Sequence, residues 1–552
     1  MIRFFLITLI CAAGCLGQPA DLVLRHGKIV TLDKQEPEVE ALAARDGRIV
    51  ALGTDREIER QIGKSTEVID LQGKLAIPGF IESHGHFSAL GASKMMLNLR
   101  DARNWDDIVA MVAAAAREAK PGDWILGRGW HQSKWDKKPE PNVNGFPTNG
   151  TLSSVSPRNP VLLEHASGHA IFVNAEALRL SQVNRSTPNP PGGEIQRDAQ
   201  GQATGLLNET AQGLVRGPAE TEDRLRQQLD LASRECLSKG ITTFEDAGSP
   251  LGTVDLMRKM ELEGKLGVRL WVMLRAPNAV LAPNLAKYRL IDDRMTVRAI
   301  KRQIDGALGS RGAWLLAPYA DLPGSTGFNT EDPADIRKTA ELAVAAGYQL
   351  CVHAIGDRAN REVLNLYESV FREHPEEKNL RWRIEHAQHL SAADIPRFGQ
   401  LGVIAAMQGI HCTSDAPYVL LRLGPQRAEE GAYVWQKLMK SGAIVSNGTD
   451  TPVEDVNPIA SYYASVSRKL KDGTVFYPAQ RMSREEALRS YTWNGAYAAF
   501  EEDHKGSLAP GKLADITVLS KDILTIAEDE IPATQVEYTV VAGKILYRRG
   551  AK

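Results

Sequence analysis

The stretch Ile77-Pro-Gly-Phe-Ile-Glu-Ser-His84-Gly-His86 is an apolar run that ends on two histidines. Because side chains alternate along an extended chain, the two imidazoles face the same side. Later apolar runs also end, or nearly end, on side chains that can bind a metal, which are Lys301, His353, His386 and Asp450. In a barrel of parallel strands, the carboxyl ends of the strands form the face that carries the active site. The sequence therefore predicts one cluster of metal-binding side chains at a barrel mouth.

Eight strand-like runs recur along the middle of the chain. The intervening segments are compatible with helices, for example residues 221–239 and 335–346. Eight strands that alternate with helices predict an α/β fold of the (β/α)8 TIM-like barrel type. The runs are 77–84, 241–247, 269–274, 297–305, 349–355, 381–387, 403–408 and 444–450.

The two ends of the chain carry short runs of strand character with glycine-containing turns. They lie at 21–32 and 47–53, and again at 514–519 and 538–547. We expect them to form one small β-sandwich domain from residues 21–75 and 505–552, with the barrel in residues 76–504. Loop-closure entropy grows slowly with length, so a domain split in this way is tolerable.

Residues 87–240 separate the first two predicted barrel strands and are far longer than a usual βα loop. This insertion has its own candidate helix at 105–120 and candidate strands at 124–129 and 161–164. We expect it to form a cap over the barrel mouth. Trp130 and Trp135 either reach the substrate from this cap or pack inside it, and the sequence leaves both readings open.

The overall composition narrows the class of partner. The chain has 66 Lys and Arg residues against 68 Asp and Glu residues, without a long run of like charge. Nucleic acid and anionic membrane surfaces are therefore not expected as partners. We expect the partner to be a small-molecule substrate. Three of the five cysteines, Cys236, Cys351 and Cys412, lie far apart in the sequence. Their spacing predicts buried thiols rather than a disulfide framework or a zinc–thiolate site.

The N-terminal segment has the character of an export signal. Residues 2–14 are apolar with one early charge, and this run is too short to span a bilayer. Ala12-Ala-Gly-Cys15 resembles a lipobox, which would make Cys15 a lipid-anchored residue. We expect residues 1–18 to act as the signal and the product to be periplasmic, secreted or lipid-anchored. Mass spectrometry of the native N-terminus, expected near residues 15–18, would test this.

Two of the strand-end residues suggest specific chemistry. A lysine at position 301 that points into a barrel is costly unless it is paired or modified. It is either a carbamate that bridges two metal ions or a partner of an internal aspartate. The carboxylate of Asp450 can bind a metal and take a proton from an attacking water.

Together these motifs resemble the amidohydrolase superfamily, in particular the branch that contains N-substituted formamide deformylases (amidohydrolase family 3 type). The resemblance covers nearly the whole mature chain. The matching stretches are Pro78–His86, Gly129-Trp130, Ser167–Ala170 with Asn174, Ala177-Leu178, Ile304–Arg311, His353–Asp357, Glu385–Gln388, Gly448–Val453 and Gly506–Asp515.

The resemblance implies a site with one or two divalent ions, zinc being the first choice. It implies His84 and His86 on one metal, His353 and His386 on the other, a carboxylated Lys301 between them, and Asp450 as ligand and proton shuttle. On the cap, His169 looks like a substrate or oxyanion contact. Trp130 and Arg311, which lie in matching stretches, are the other candidate substrate contacts.

Three functions are compatible with these residues. The first is hydrolysis of a C–N bond in an amide, N-acyl or N-formyl compound by a metal-activated water. The second uses the same site on an ester or lactone, or as a deaminase. The third is a binding protein on an inactive scaffold, against which the complete ligand set argues. The sequence leaves the oligomeric state open, with a homodimer as one option.

Overall fold

The computed structural model describes residues 18–132, 135–166, 168, 170–191 and 193–551. Residues 1–17 of the expected signal segment, which include Cys15, and the expected contact residue His169 lie outside these ranges. Within them, no helix is both long enough and apolar enough to cross a bilayer.

The described part of the chain alternates strands and helices. The strands are β1 Leu22–Arg25, β2 Lys28–Val30, β3 Glu38–Val39, β4 Ala41–Arg45, β5 Arg48–Gly53, β6 Glu67–Asp70, β7 Leu75–Pro78, β8 Phe80–Gly85, β9 Leu97–Asn98, β10 Ile125–Trp130, β11 Asn142–Val143, β12 Phe146–Pro147, β13 Val161–His165, β14 Ala170–Val173, β15 Gly193–Arg197, β16 Ala203–Glu209, β17 Ile241–Ser249, β18 Arg269–Leu274, β19 Met295–Gln303, β20 Gln349–Ala354, β21 Arg383–His386, β22 Ile404–Gln408, β23 Val445–Gly448, β24 Ile516–Leu519, β25 Val536–Val541 and β26 Lys544–Arg548. The helices are α1 Asp55–Ile58, α2 Phe87–Lys94, α3 Trp105–Glu118, α4 Gly150–Val155, α5 Ala175–Leu180, α6 Glu222–Ser238, α7 Leu251–Leu262, α8 Asn278–Leu281, α9 Leu285–Tyr288, α10 Pro333–Ala346, α11 Asp357–Glu373, α12 Ile395–Leu401, α13 Gly409–Leu423, α14 Pro425–Gly431, α15 Trp435–Lys440, α16 Pro458–Ser467, α17 Arg484–Ser490 and α18 Trp493–Ala498.

Eight parallel strands form the barrel, in the order β8-β17-β18-β19-β20-β21-β22-β23. The predicted barrel is confirmed, and its strands lie where the eight apolar runs placed them. The first and last strands meet at their carboxyl ends: Asp450 N–H donates to the His84 carbonyl and His86 N–H to the Thr451 carbonyl, both at 2.8 Å. The sheet closes at the end that carries the histidines.

One predicted strand needs a correction. The run 77–84 is two strands in two different sheets, because β7 ends at Pro78 and pairs with β24 and β2, whereas β8 starts at Phe80 in the barrel. Between them, a Cβ on Gly79 would lie 2.2 Å from Thr242 Oγ1. Glycine is required there because the chain passes closely against β17 as it changes sheet.

The chain ends form two further sheets, ordered β5-β4-β1-β6 and β26-β25-β24-β7-β2-β3. The second combines strands from both ends of the sequence. Buried apolar side chains from both sheets, such as Leu24, Ile69, Ala76, Ile516 and Val540, form one hydrophobic cluster. Their burial stabilises the sheets as a unit separate from the barrel core.

The insertion after β8 contains a six-stranded sheet, β15-β16-β14-β13-β10-β9, which we call the cap sheet. The first and last helices of residues 87–240, α2 and α6, instead share the barrel's hydrophobic core through Phe87 and Leu229. They pack so closely that a Cβ on Gly91 would lie 1.7 Å from the Gln228 carbonyl oxygen. The cap meets the barrel mouth where Arg100 Nη2 donates to the Pro452 carbonyl at 2.6 Å.

Candidate metal centre

The six strand-end residues predicted as ligands converge at the barrel mouth. Lys301 Nζ lies 3.4 Å from His84 Nε2, and His86 Nε2 lies 3.2 Å from Asp450 Oδ1. The His386 ring centroid is 4.7 Å from that of His84 and 4.4 Å from that of His353. Side chains from five strands or strand ends therefore share one small volume.

The donor atoms fit a divalent metal ion. The ligating atoms of His84, His386 and Asp450 all lie within 4.8 Å of one another, and all three residues are buried. His353 Nε2 and Asp450 Oδ1 are buried with no well-aligned hydrogen-bond partner in the described part of the protein. Leaving such an atom unsatisfied costs about 1–3 kcal/mol, so a partner is expected. Imidazole nitrogens and a carboxylate are ligands that zinc and similar divalent ions prefer.

The protonation states also suit a metal. Burial lowers the pKa of His84 to about 4 and holds the pKa values of His353 and His386 well below the ordinary range. Burial alone would raise the pKa of Asp450, but His86 and the other imidazoles close to its carboxylate hold it well below its usual value. At neutral pH the site therefore presents neutral imidazoles and an ionised carboxylate, the forms that bind metals.

Two acceptor groups orient the histidine rings. The Glu385 carboxylate contacts His84 Nδ1, and Gln408 Oε1 lies 2.7 Å from His386 Nδ1. Both oxygens are hydrogen-bond acceptors, so the ring nitrogen that faces each of them, Nδ1, carries the proton of the neutral imidazole. The lone pair of Nε2 is then available to a metal ion. Both histidines are thus held as Nε2 ligands.

Beneath the site lies an ionic network that the sequence analysis missed. Arg383 donates to the carboxylates of Glu245 and Glu385, and its Nη2 donates to the Ser83 carbonyl at 2.6 Å. All three charged side chains are completely buried. Burial raises the pKa of Glu245 to about 8 despite the arginine, whereas Arg383 and His84 outweigh burial at Glu385 and lower its pKa. Glu385 is therefore the carboxylate that Arg383 holds ionised, while burial disfavours a charge on Glu245.

A second buried carboxylate, Asp305, fixes the backbone beside His353. It accepts the backbone N–H groups of Trp314, Ile355 and Gly356 at 2.8–2.9 Å. Burial raises its pKa to about 7. The sequence placed Asp305 at a strand end without assigning it a role. Its contacts tie the loop after β19 to the end of β20, which carries His353.

The backbone is strained at three of the site positions. His386, Ala387 and Asp450 have φ values of 76°, 43° and 54°, in the left-handed region that few non-glycine residues adopt. Such conformations persist only where the surrounding structure imposes them, and they cluster at functional sites. Here they turn the ends of β21 and β23 so that His386 and Asp450 face the cluster.

The other predicted substrate contacts lie elsewhere. Trp130 is 1% exposed, and its indole N–H donates to the Leu163 carbonyl at 2.9 Å within the core of the cap. Trp135 stacks on it. Arg311 lies in the loop after β19 and pairs with Asp321 at 2.8 Å. Their contact with substrate, like that of His169, stays a prediction.

Known proteins resemble this chain in sequence and in fold. The amidohydrolase family matches residues 67–547. Protein LONG AFTER FAR-RED 3 of Arabidopsis thaliana is 35% identical over 96% of this chain and 92% of its own length. The N-substituted formamide deformylase of Arthrobacter pascens is 27% identical over 96% of this chain and 99% of its own. An uncharacterized metal-dependent hydrolase of Pyrococcus horikoshii superposes with a TM-score of 0.77 at 25% identity, covering 92% of this chain and 99% of that one. With a barrel, a converging ligand set and this match over most of its length, the chain belongs to the amidohydrolase family.

Proposed function

We propose that this metal-dependent hydrolase cleaves the C–N bond of an amide, specifically an N-acyl or N-formyl compound. The observation that carries the proposal is the position of Asp450, whose ionised carboxylate lies among the imidazoles at the mouth. The deformylase relative supports this choice of bond. An exported location, with the signal in residues 1–18 and a lipid tether on Cys15, remains part of the proposal.

The residues divide the chemistry between them. The histidines and Asp450 would hold a divalent ion, which would supply polarisation of the substrate carbonyl and hydroxide near neutral pH. An Asp450 carboxylate oxygen takes the proton from the attacking water as the water oxygen bonds to the acyl carbon. The same oxygen then gives the proton to the amide nitrogen as the C–N bond breaks, so the amine leaves neutral.

An amide and ester panel with elemental analysis tests this function. We expect the wild type to hold about one or two zinc ions per chain, consistent with this ligand set, and to hydrolyse N-formyl or N-acyl amides. A chelator should abolish turnover, and added metal should restore it. His84→Ala should lose most of the metal because it removes a buried Nε2 ligand.

Each alternative gives a different pattern. Turnover of esters or lactones alone, or release of ammonia from a cyclic amidine, would reject the proposed bond and keep the hydrolytic site. Stoichiometric metal without any turnover would indicate a binding scaffold. Full metal occupancy in His84→Ala would reject the assigned ligand.

We also propose that Lys301 is carboxylated. Burial lowers the pKa of this amine, and its Nζ forms no ion pair with a carboxylate of the described residues. A neutral amine nitrogen can bond to the carbon of CO2 and lose one proton, which gives a carbamate with two metal-binding oxygens. This chemistry would place the modified side chain between the two groups of histidines.

Carbon-13 NMR in labelled bicarbonate tests the modification. We expect a carbamate resonance in the wild type and none in Lys301→Ala. The variant should lose turnover, and short carboxylates such as acetate or propionate should restore part of it. A wild-type spectrum without the resonance in the metal-loaded enzyme would reject carboxylation.

A further inference from the structure

His411 is a buried imidazole beside the metal centre that has no role in the ligand set or in the proton transfers above. It is the third residue of α13, the helix that follows β22. Its ring lies nearly parallel to that of His386, at 17°, with 6.4 Å between the centroids. It therefore lies on the carboxyl face of the barrel, next to a predicted ligand.

The first turn of α13 is fixed in place. Gly409 N–H donates to Asn447 Oδ1 at 2.8 Å, and Ile410 N–H donates to Ser461 Oγ at 3.0 Å. A Cβ on Gly409 would lie 2.2 Å from Ser465 Oγ, so this turn packs directly against α16. These contacts fix the main chain from which the His411 ring projects.

The hydrogen bonding of His411 defines which ring nitrogen is the donor. Gln388 Nε2 lies 3.1 Å from His411 Nδ1, and both side chains are buried. An amide nitrogen can only donate, so Nδ1 accepts and the neutral ring carries its proton on Nε2. Nε2 is buried and finds no hydrogen-bond partner in the part of the protein that the structure describes. The ring thus presents an unused N–H donor.

We infer that His411 Nε2–H donates a hydrogen bond to the carbonyl oxygen of the scissile acyl group. This inference rests on the proposed hydrolytic function and adds a substrate contact to it. The ring is buried, and among the described residues its Nε2–H has no partner to give up, so this donor is available as negative charge builds on that oxygen. A pre-oriented donor of this kind stabilises the transition state more than the bound substrate. Gln388 acts as a positioning residue because it keeps the proton on Nε2.

The test compares metal-loaded wild type, His411→Phe and His411→Asn on the best substrate of the panel. We expect His411→Phe to lower kcat by about 10²–10³-fold, the usual effect of removing one such donor. Bound metal and the thermal unfolding midpoint should stay unchanged. His411→Asn retains an N–H donor and should recover part of kcat. Gln388→Met, which cannot donate to Nδ1, should give a smaller loss of kcat at constant metal content.

His389→Phe is the matched control. His389 is as buried as His411, at 2% against 5% exposed, and its ring packs on Tyr433. We expect its kcat to stay near the wild-type value. If His411→Phe lowers kcat by less than about tenfold, the effect is smaller than the loss of such a donor should produce, and the inference is overturned. A loss of metal that parallels the loss of kcat would also overturn it.

The outcome for His411 can be separated from that for the proposed bond. If the wild type cleaves only esters, the C–N proposal fails, but the ester carbonyl still accepts from His411 and the same comparison applies. If it cleaves nothing, calorimetry with methylphosphonate replaces turnover, because this tetrahedral anion offers oxygens in place of the charged carbonyl oxygen. Equal binding, or equal absence of binding, in wild type and His411→Phe would then overturn the inference.

Discussion

Replacing Asp450 with Asn is expected to lower kcat by about 10²–10⁴-fold, the range that general acid–base assistance supplies. The substitution keeps the side-chain size and one oxygen but removes the group that accepts the water proton. Position 450 has a left-handed backbone, which Asn tolerates better than most residues, so the fold should be preserved. KM should change little, since the lost interaction forms mainly in the transition state.

Steady-state kinetics on protein of known metal content measures this effect. The control is the metal content itself, because Asp450 also belongs to the cluster of possible ligands. If Asp450→Asn is metal-replete and its kcat is close to the wild-type value, Asp450 is at most a ligand. If instead kcat recovers in proportion to added metal, the carboxylate acts through metal binding and proton transfer must be assigned elsewhere.

The sequence was sufficient to predict the barrel and the position of its polar cluster. Apolar runs with a buried character mark parallel strands, and a polar residue at the end of such a run reaches the mouth wherever the strands close into a barrel. Lys301 and His353 could be placed in this way without knowledge of any distance. The apolar pattern of the sequence could not show that the chain changes sheet at Gly79. The strands on either side, β7 and β8, are both extended and apolar, so they look like one continuous run.

The supporting groups were harder to predict because they act across strands. Glu245 and Arg383 are 138 positions apart, and only closure of the barrel brings them together. Each also has another charged residue in its own strand, Asp246 beside Glu245 and Glu385 near Arg383, so the sequence does not single out this pair. Glu385 is next to His386 in the sequence, yet it orients His84, which is 301 positions away. The left-handed backbone at His386 is likewise imposed by tertiary contacts and has no glycine to signal it.

The two interpretations of Trp130 differ in what its ring contacts. An aromatic ring in an insertion above a barrel mouth can face either the substrate or its own sheet, and the residue type is the same in both cases. At Trp130 the indole N–H is satisfied by a carbonyl of the neighbouring strand β13. By contrast, His411 was not identified from the sequence, although its unused donor lies next to His386. An unsatisfied buried donor beside a predicted ligand, rather than residue type, is what singles out His411.

Replacing Arg383 with Met is expected to destabilise the metal-free protein by about 3–5 kcal/mol, the usual effect of removing one partner of a buried ion pair. Methionine fills a similar volume, so the loss should come from the uncompensated Glu385 carboxylate rather than from a cavity. The Ser83 carbonyl would also lose its donor. Denaturant unfolding of chelator-treated protein measures the effect without a contribution from bound metal.

The double variant Arg383→Met with Glu385→Gln separates charge from packing. It removes the buried charge together with its partner, so stability should return at least in part, even though two hydrogen-bonding groups are lost. Glu245 is left unchanged, because burial raises its pKa to about 8 and so opposes a second buried carboxylate charge near neutral pH. The sign of its pH dependence follows: its folded pKa lies above the unfolded value, so its contribution is present at low pH and is lost as pH rises towards 8. A double variant as unstable as Arg383→Met would show that Arg383 supports the barrel by packing, and the charge balance proposed for this network would then be wrong.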